Sequence, residues 1–487
     1  MSILVIIVIF ILFAIKSYFL LDPDFGWHIK MGEFILNSGI PLTDPFSYTM
    51  PSYPFVDHEW LTNILVFLGY KNIGWVGLGI AFSLITVLSL LTAFKFDFKK
   101  KYFTLPFILS AGVLLGFIGI RPQVISWLFF AVLVFIFLAK NYSQKVKFFI
   151  PPFFLIWANL HGGFILGLFI FLIFIFTNFY SQKRTNFTIL IIFILSCVIT
   201  LLNPYGINLH KEILISIFDS SLRFSIYEWM PAIFSYSPIV WIYVSISIAL
   251  FYKYRASFTL FEKATYIFLF ISGISSVRNL PLWAIFASFV LFKSSLLFEN
   301  DIMRFKFGLE RLNKAYYFLV VFSFFALIFP IIIDLPGLSA INESNFYPDK
   351  AVNYLKKSPS QGQVLSEYGW GGYLIWKYPE KKTFIDGRMP SWRRSRSPKG
   401  ESNYAFKEYK ALMNGDVSLK TEAEKYNIDT ILLPSFKEEK LNPIAKILDK
   451  LELKLEKEGK YGNIYKQVKK EGWKLVYEDQ TSVIYRN

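Results

Sequence analysis

Leu21-Asp-Pro-Asp-Phe-Gly-Trp-His28 is the stretch on which the reading of this 487-residue chain turns. It follows an apolar run from Ile3 to Leu21. That run has no basic residue at its head and no Ala-x-Ala-like site after it, so a retained first helix is predicted rather than a cleaved signal. From Asp22 the chain turns polar: Asp22, Asp24, Glu33, Asp44, Asp57 and Glu59 all precede Leu61. His28 and His58 lie among them, two of the four histidines in the chain. Carboxylates and imidazoles crowded beside a membrane segment mark chemistry or ion handling.

The composition places the chain in the membrane class. It is 54% hydrophobic, 19% aromatic and only 18% charged, with mean hydropathy +0.44. Apolar runs predict about eleven transmembrane helices, at 3–21, 74–94, 103–119, 123–139, 148–160, 162–180, 187–203, 237–252, 264–280, 281–297 and 315–334. The stretches 148–180 and 264–297 each read as one long helix or two short ones, with Pro151-Pro152 and Pro281 marking breaks. Residues 60–73 are too interrupted to span and are predicted to form an interfacial helix. The single cysteine, Cys197, excludes a disulfide framework.

Orientation follows from the basic residues. With the N-terminus cytoplasmic, the inner loops hold 16 lysines and arginines, and the outer segments before residue 335 hold 6. The positive-inside rule therefore accounts for the net charge of +16 without a nucleic-acid partner. The same topology puts all four histidines on the outer side, with Asp22, Asp24, Asp57, Glu59, Arg121, Glu228 and Arg278. Past Asp334-Leu-Pro-Gly, residues 340–487 carry 27 basic and 20 acidic residues and no spanning run. Helices are predicted near 349–357, 404–414, 417–427 and 438–449. Strands are predicted at Gln363–Ser366, Lys382–Ile385, Thr430–Leu433, Trp473–Tyr477 and Ser482–Tyr485. The expected fold is a polytopic α-helical membrane protein with a C-terminal soluble α/β domain. The first domain is residues 1–338 with a long outer loop at 22–73, and the second is an extracytoplasmic domain at 339–487.

The motifs leave some readings open. In Asp22-Pro-Asp24, two carboxylates two residues apart point the same way in an extended segment. They can meet one cation or one hydroxyl, or simply end a helix. Asp57-His58-Glu59 reads either as a helix cap or as a catalytic or metal-binding group, with Asp22, Asp24 and Asp57 as candidate ligands of a divalent cation, Mg or Mn. Arg121 and Arg278, at outer helix ends, are either snorkelling anchors or phosphate ligands, since a guanidinium matches phosphate bidentately. His161, in Trp157-Ala-Asn-Leu-His-Gly-Gly163, is either a packing hydrogen bond or a third phosphate ligand. His58 and Glu228 are candidate substrate contacts. So are Tyr368 and Trp370 of Glu367-Tyr-Gly-Trp-Gly-Gly-Tyr373, followed by Asp386, where glycines allow close approach and aromatics can stack on a sugar.

A long acidic first outer loop after helix one, many helices and an outer C-terminal domain resemble the GT-C membrane glycosyltransferases. Leu21-Asp-Pro-Asp-Phe25, Gly39 and Asp44 resemble the first loop of the oligosaccharyltransferase catalytic subunit. Glu367-Tyr-Gly-Trp-Gly-Gly-Tyr373 is similar to that subunit's WWDYG segment, without its tryptophan pair and aspartate. The resemblance implies that Asp24 or Asp22 deprotonates or orients an acceptor or binds a divalent cation, with Asp57 and Glu59 completing the site. It also implies that Arg121, His161 and Arg278 steady the phosphate of a lipid-linked donor. The chemistry is coherent in itself: an outer-face transferase uses a polyprenyl-phosphate-linked sugar, its leaving phosphate needs cations, and the acceptor hydroxyl needs a base. Three other classes stay open: an O-antigen ligase or polymerase, a lipid-linked glycan transporter, and a structural or sensor protein whose soluble domain binds a partner.

Overall fold

The computed structural model describes residues 2–19, 21–100, 102–139, 148–183, 187–234, 238–304, 309–338, 346–435 and 461–487. The chain forms two compact units. One comprises Met1–Leu20, Asp57–Thr62 and Gly69–Gly337; the other comprises Leu21–Val56, Asn63–Leu68 and Leu338–Asn487. The chain returns to the second unit at Leu338. Residues 21–56 of the first loop group with the C-terminal residues in the second unit.

The first unit is helical and apolar, as a membrane protein requires. Among the described residues, four helices are long and apolar enough to cross a membrane: Ser2–Phe19, Trp60–Ala93, Phe164–Ser181 and Val277–Glu299. Six shorter apolar helices of 10–17 residues accompany them. Several buried hydroxyls are satisfied inside their own helices. Ser83, Thr86 and Ser110 donate to the carbonyls of Gly79, Phe82 and Pro106 at 2.7, 3.0 and 2.7 Å, the arrangement that an anhydrous surround demands. Aromatic rings fill the core, with Phe94, Phe103, Phe107 and Phe292 meeting edge-on or stacked.

The helix breaks place the polar residues. Gly74, at φ 66 and ψ −172, separates residues 60–73 from the apolar helix after them, within one element from Trp60 to Ala93. The 148–180 stretch is two helices, Ile150–Leu160 and Phe164–Gln182. They part at His161-Gly-Gly163, while Pro151-Pro152 begins the first one, where missing amides cost nothing. The 264–297 stretch parts at Ser276–Asn279, and Pro281 sits in the first turn of the helix Leu280–Arg304.

The second unit carries a four-stranded sheet, β1 (Gln363–Ser366), β2 (Ile428–Pro434), β3 (Lys474–Glu478) and β4 (Ser482–Arg486), in the order β1-β2-β4-β3. β1 and β2 are parallel, joined through the helices Gly371–Lys377, Ala405–Asn414 and Leu419–Tyr426. β3 and β4 form the expected hairpin around Asp479, whose Oδ1 accepts the amides of Thr481 and Ser482 at 2.8 and 2.7 Å. The helix expected at 349–357 is found at Asp349–Lys357. The helix expected at 438–449 and the loop at 140–147 lie outside the described residues. Lys382–Ile385 is not a sheet strand. Thr383 donates to Phe46 O at 2.9 Å and accepts from Tyr48 N at 3.0 Å, so its backbone is used by the first loop.

Candidate active site

In the first unit, Asp57-His58-Glu59 leads into the helix that begins at Trp60. The Oδ1 of Asp57 accepts the amide of Glu59 at 3.0 Å, an Asx turn that fixes the approach to the helix. The Glu59 side chain is buried at 7% exposure, with Oε1 3.1 Å from Nε2 of His58 and 3.7 Å from Nε2 of His161. One carboxylate oxygen thus faces two imidazoles. His161 is oriented from behind. Gly163 N–H donates to its Nδ1 at 3.0 Å, Ser126 Oγ lies 2.7 Å from the same nitrogen, and Trp157 Nε1–H donates to Ser126 Oγ at 2.7 Å. Because Nδ1 accepts a backbone hydrogen bond, the network assigns the neutral ring's proton to Nε2, toward Glu59.

Electrostatics in this cluster centre on His58. Burial pushes its imidazole pKa down. The charge and hydrogen bond of Glu59, with the charge of Asp57, outweigh this and leave it above the ordinary value, while Arg278 opposes protonation. Arg278 therefore belongs to the same electrostatic neighbourhood. Its guanidinium lies 5.3 Å from the centre of the Trp229 ring. The turn that carries it is tied down by Val277 N–H donating to Met230 O at 2.9 Å and Ser276 Oγ–H donating to Glu228 O at 3.1 Å. Arg121 and Glu228, expected to bind donor and acceptor separately, are paired with each other at 2.7 Å. Glu212, on the helix Ile207–Phe218, has a carboxyl pKa raised by burial and partly offset by His58. Sequence reasoning passed over Glu212, Ser126 and Trp157. Glu212 and Ser126 stand in no motif, Trp157 opens the His161 motif without being given a role, and Ser126 meets His161 across 35 residues of chain.

In the second unit, the Oδ1 of Asp22 accepts the amide of Asp24 at 2.9 Å, so this buried carboxylate shapes the turn around Pro23. Asp24 is half-buried, and its carbonyl accepts the amide of His28 at 3.2 Å as the helix Phe25–Ser38 begins. His28 Nδ1 lies 2.6 Å from Asn63 Oδ1. Asp386, expected to contact substrate, is fully buried and holds Arg388 through Nε at 2.8 Å and Nη2 at 2.8 Å. Arg388 Nη1 also reaches Asp44 at 2.8 Å. Trp370 is buried and donates to Phe346 O at 2.9 Å, so its ring presents no face to a sugar. Tyr368 is half-buried against Phe406 and Tyr409, and its amide donates to the Tyr409 hydroxyl at 2.9 Å. The glycines beside them serve packing: a Cβ on Gly371 or Gly372 would strike the carbonyl of Ile385 or Pro23. Among the described residues, no group of three or more His, Cys, Asp or Glu side chains is placed to hold a metal ion. Of the candidate ligands of a divalent cation, Asp22 and Asp24 lie in the second unit and Asp57 in the first.

No protein-family model matches the sequence. No curated protein matches it either. The fold does have a counterpart in the Archaeoglobus fulgidus oligosaccharyltransferase, solved in complex with Zn and sulfate. The likeness has a TM-score of 0.52 at 11% identity, and covers 99% of this chain and 73% of that one. The fold is that of a GT-C-like membrane protein. At that identity the likeness is one of fold alone.

Proposed function

We propose that this chain is a membrane glycosyltransferase that moves a sugar from a polyprenyl-phosphate-linked donor to an acceptor on the extracytoplasmic face of the plasma membrane. The N-terminus is cytoplasmic, about eleven helices span the bilayer, and the C-terminal domain lies outside. The observation that carries this reading is the Glu59 carboxylate facing His58 and His161, with Arg278 beside them, at the ends of apolar helices in a GT-C-like fold. The biased distribution of basic residues, 16 against 6, supports the orientation.

The chemistry divides between anion and base. The acceptor hydroxyl attacks the anomeric carbon, the bond from that carbon to the phosphate oxygen breaks, and the configuration inverts. Arg278 and the protonated form of His58 meet the charge of the departing phosphate. The acceptor's proton passes to a first-loop carboxylate. Two are suited, Asp24 in the second unit and Glu59 in the first. Glu59 lies against two imidazoles, and Asp24 is the half-exposed member of the Asp22-Pro-Asp24 turn. Arg121, neutralised by Glu228, holds its loop rather than a phosphate.

The test is transfer of radiolabelled sugar from a polyprenyl phosphate in membranes carrying the protein. Asp24→Asn or Glu59→Gln should lower the rate by roughly 100-fold to 10,000-fold, the scale of general-base catalysis. Full transfer by both variants, or none by the wild type with any polyprenyl-phosphate sugar, defeats the reading.

A further inference from the structure

The second unit contains a device that bears on one of these carboxylates. Asp386-Gly387-Arg388 is pinned at both flanks. The Asp386 carboxylate holds the Arg388 side chain, and its Oδ1 also accepts the Arg388 amide at 3.1 Å. The guanidinium extends to Asp44 at 2.8 Å and is enclosed by the rings of Phe46, Phe55 and Trp392, at 5.0, 5.3 and 5.4 Å. With side-chain exposures of 3% for Arg388 and 0% for both aspartates, the glycine between them has little freedom to move. Asp24 comes up against that glycine. A Cβ built on Gly387 would lie 2.8 Å from Cγ of Asp24 and would collide with its Oδ1. The carbonyl of the preceding Pro23 packs closely against Gly372.

We propose that Gly387, anchored by the Asp44–Arg388–Asp386 ion cluster, is the positioning residue that sets where the Asp24 carboxylate points. This rests on the reading of Asp24 as a reactive carboxylate. A glycine is required at 387 because any side chain would occupy the volume of the carboxylate oxygen. The group that yields is the end of a short side chain, not backbone. Gly387→Ala should therefore turn the carboxylate and leave the fold in place. The neighbouring Gly26, Gly371 and Gly372 differ, since a Cβ on each would meet a carbonyl oxygen.

The experiment is a double-variant cycle in full-length protein, reading transfer kinetics and thermal melting in detergent. Gly387→Ala should lower kcat by roughly 100-fold, the scale of a 1 Å misplacement of a reacting group, with KM for the lipid-linked donor unchanged. Added to Asp24→Asn, it should cost nothing further, because the group it displaces is already disabled. Full activity of Gly387→Ala beside a dead Asp24→Asn overturns the positioning role alone. An equal loss in both backgrounds does the same. Full activity of Asp24→Asn overturns the reading of Asp24 and the inference with it. If Gly387→Ala instead melts early, Asp24→Ala in the same chain removes the colliding oxygens and should restore the melting temperature. Failure to restore it counts against the inference.

Discussion

Two clusters of the same residue types behave in opposite ways. In the second unit, Asp44 and Asp386 share one guanidinium, and the backbone amides of Phe46, Ser47 and Arg388 donate to the carboxylates as well. Arg388 is held charged: burial lowers its pKa, but the two carboxylates raise it well past the ordinary arginine value. In the first unit, Glu59 faces two histidines, and the His58 side chain is 37% exposed. Its charge changes with pH and with whatever arrives beside it. The lesson is that saturation separates structure from chemistry. A carboxylate whose partners are permanent cations and backbone amides is a clasp, whereas one whose partners are imidazoles can exchange a proton.

The largest effect that tests this contrast is on stability. Arg388→Met removes the only cation of the clasp and leaves two buried carboxylates against each other, which should cost about 3–5 kcal/mol. Asp44→Asn or Asp386→Asn leaves a neutral pair and should cost about 1–3 kcal/mol. Thermal melting of the full chain in detergent would measure both. If Arg388→Met melts no earlier than the aspartate variants, the ion cluster is not what holds the first loop to the C-terminal residues within this unit.

The second effect is on turnover. His161→Gln should cut sugar transfer by about tenfold to 100-fold, the scale on which groups that orient a reactive carboxylate act. It should cost only about 1 kcal/mol of stability, because Gln can still accept from Gly163. If transfer is unaffected while melting collapses, the Glu59 cluster is a second clasp and the contrast fails.

What the sequence made legible follows from range. Helix and strand types in the C-terminal residues were readable because hydrophobic periodicity is local, and β1, the hairpin of β3 and β4, and the helix Asp349–Lys357 fall where predicted. Breaks were readable where glycine or proline punctuates, as at Gly74. Elements fixed by distant partners were not. Lys382–Ile385 has strand composition, but Phe46 and Tyr48, more than 330 positions away, take its hydrogen bonds. Trp370 and Asp386 looked available because their partners, Phe346 and Arg388, occupy them only in the folded chain. Arg121 looked like a free phosphate ligand because Glu228 lies 107 residues further on. Close backbone packing explains Gly371-Gly372 where a ligand loop was expected, and sequence alone offers the same glycines to either use.

The smallest effect is the one most specific to the histidine cluster. The His58 pKa is raised above its ordinary 6.5 in the folded chain. The interactions that favour the imidazolium therefore stabilise the fold fully below pH 6.5 and are lost as pH rises through the folded value. The half-exposed side chain is screened by solvent, so the contribution is about 0.5 kcal/mol or less. Comparing the melting of wild type and His58→Gln at about pH 5.5 and about pH 8.5 removes most of the titration common to both proteins. The wild type should gain on the variant only at the acid end. A gap that is constant, or larger at the alkaline end, would mean that Glu59 does not hold the proton on His58.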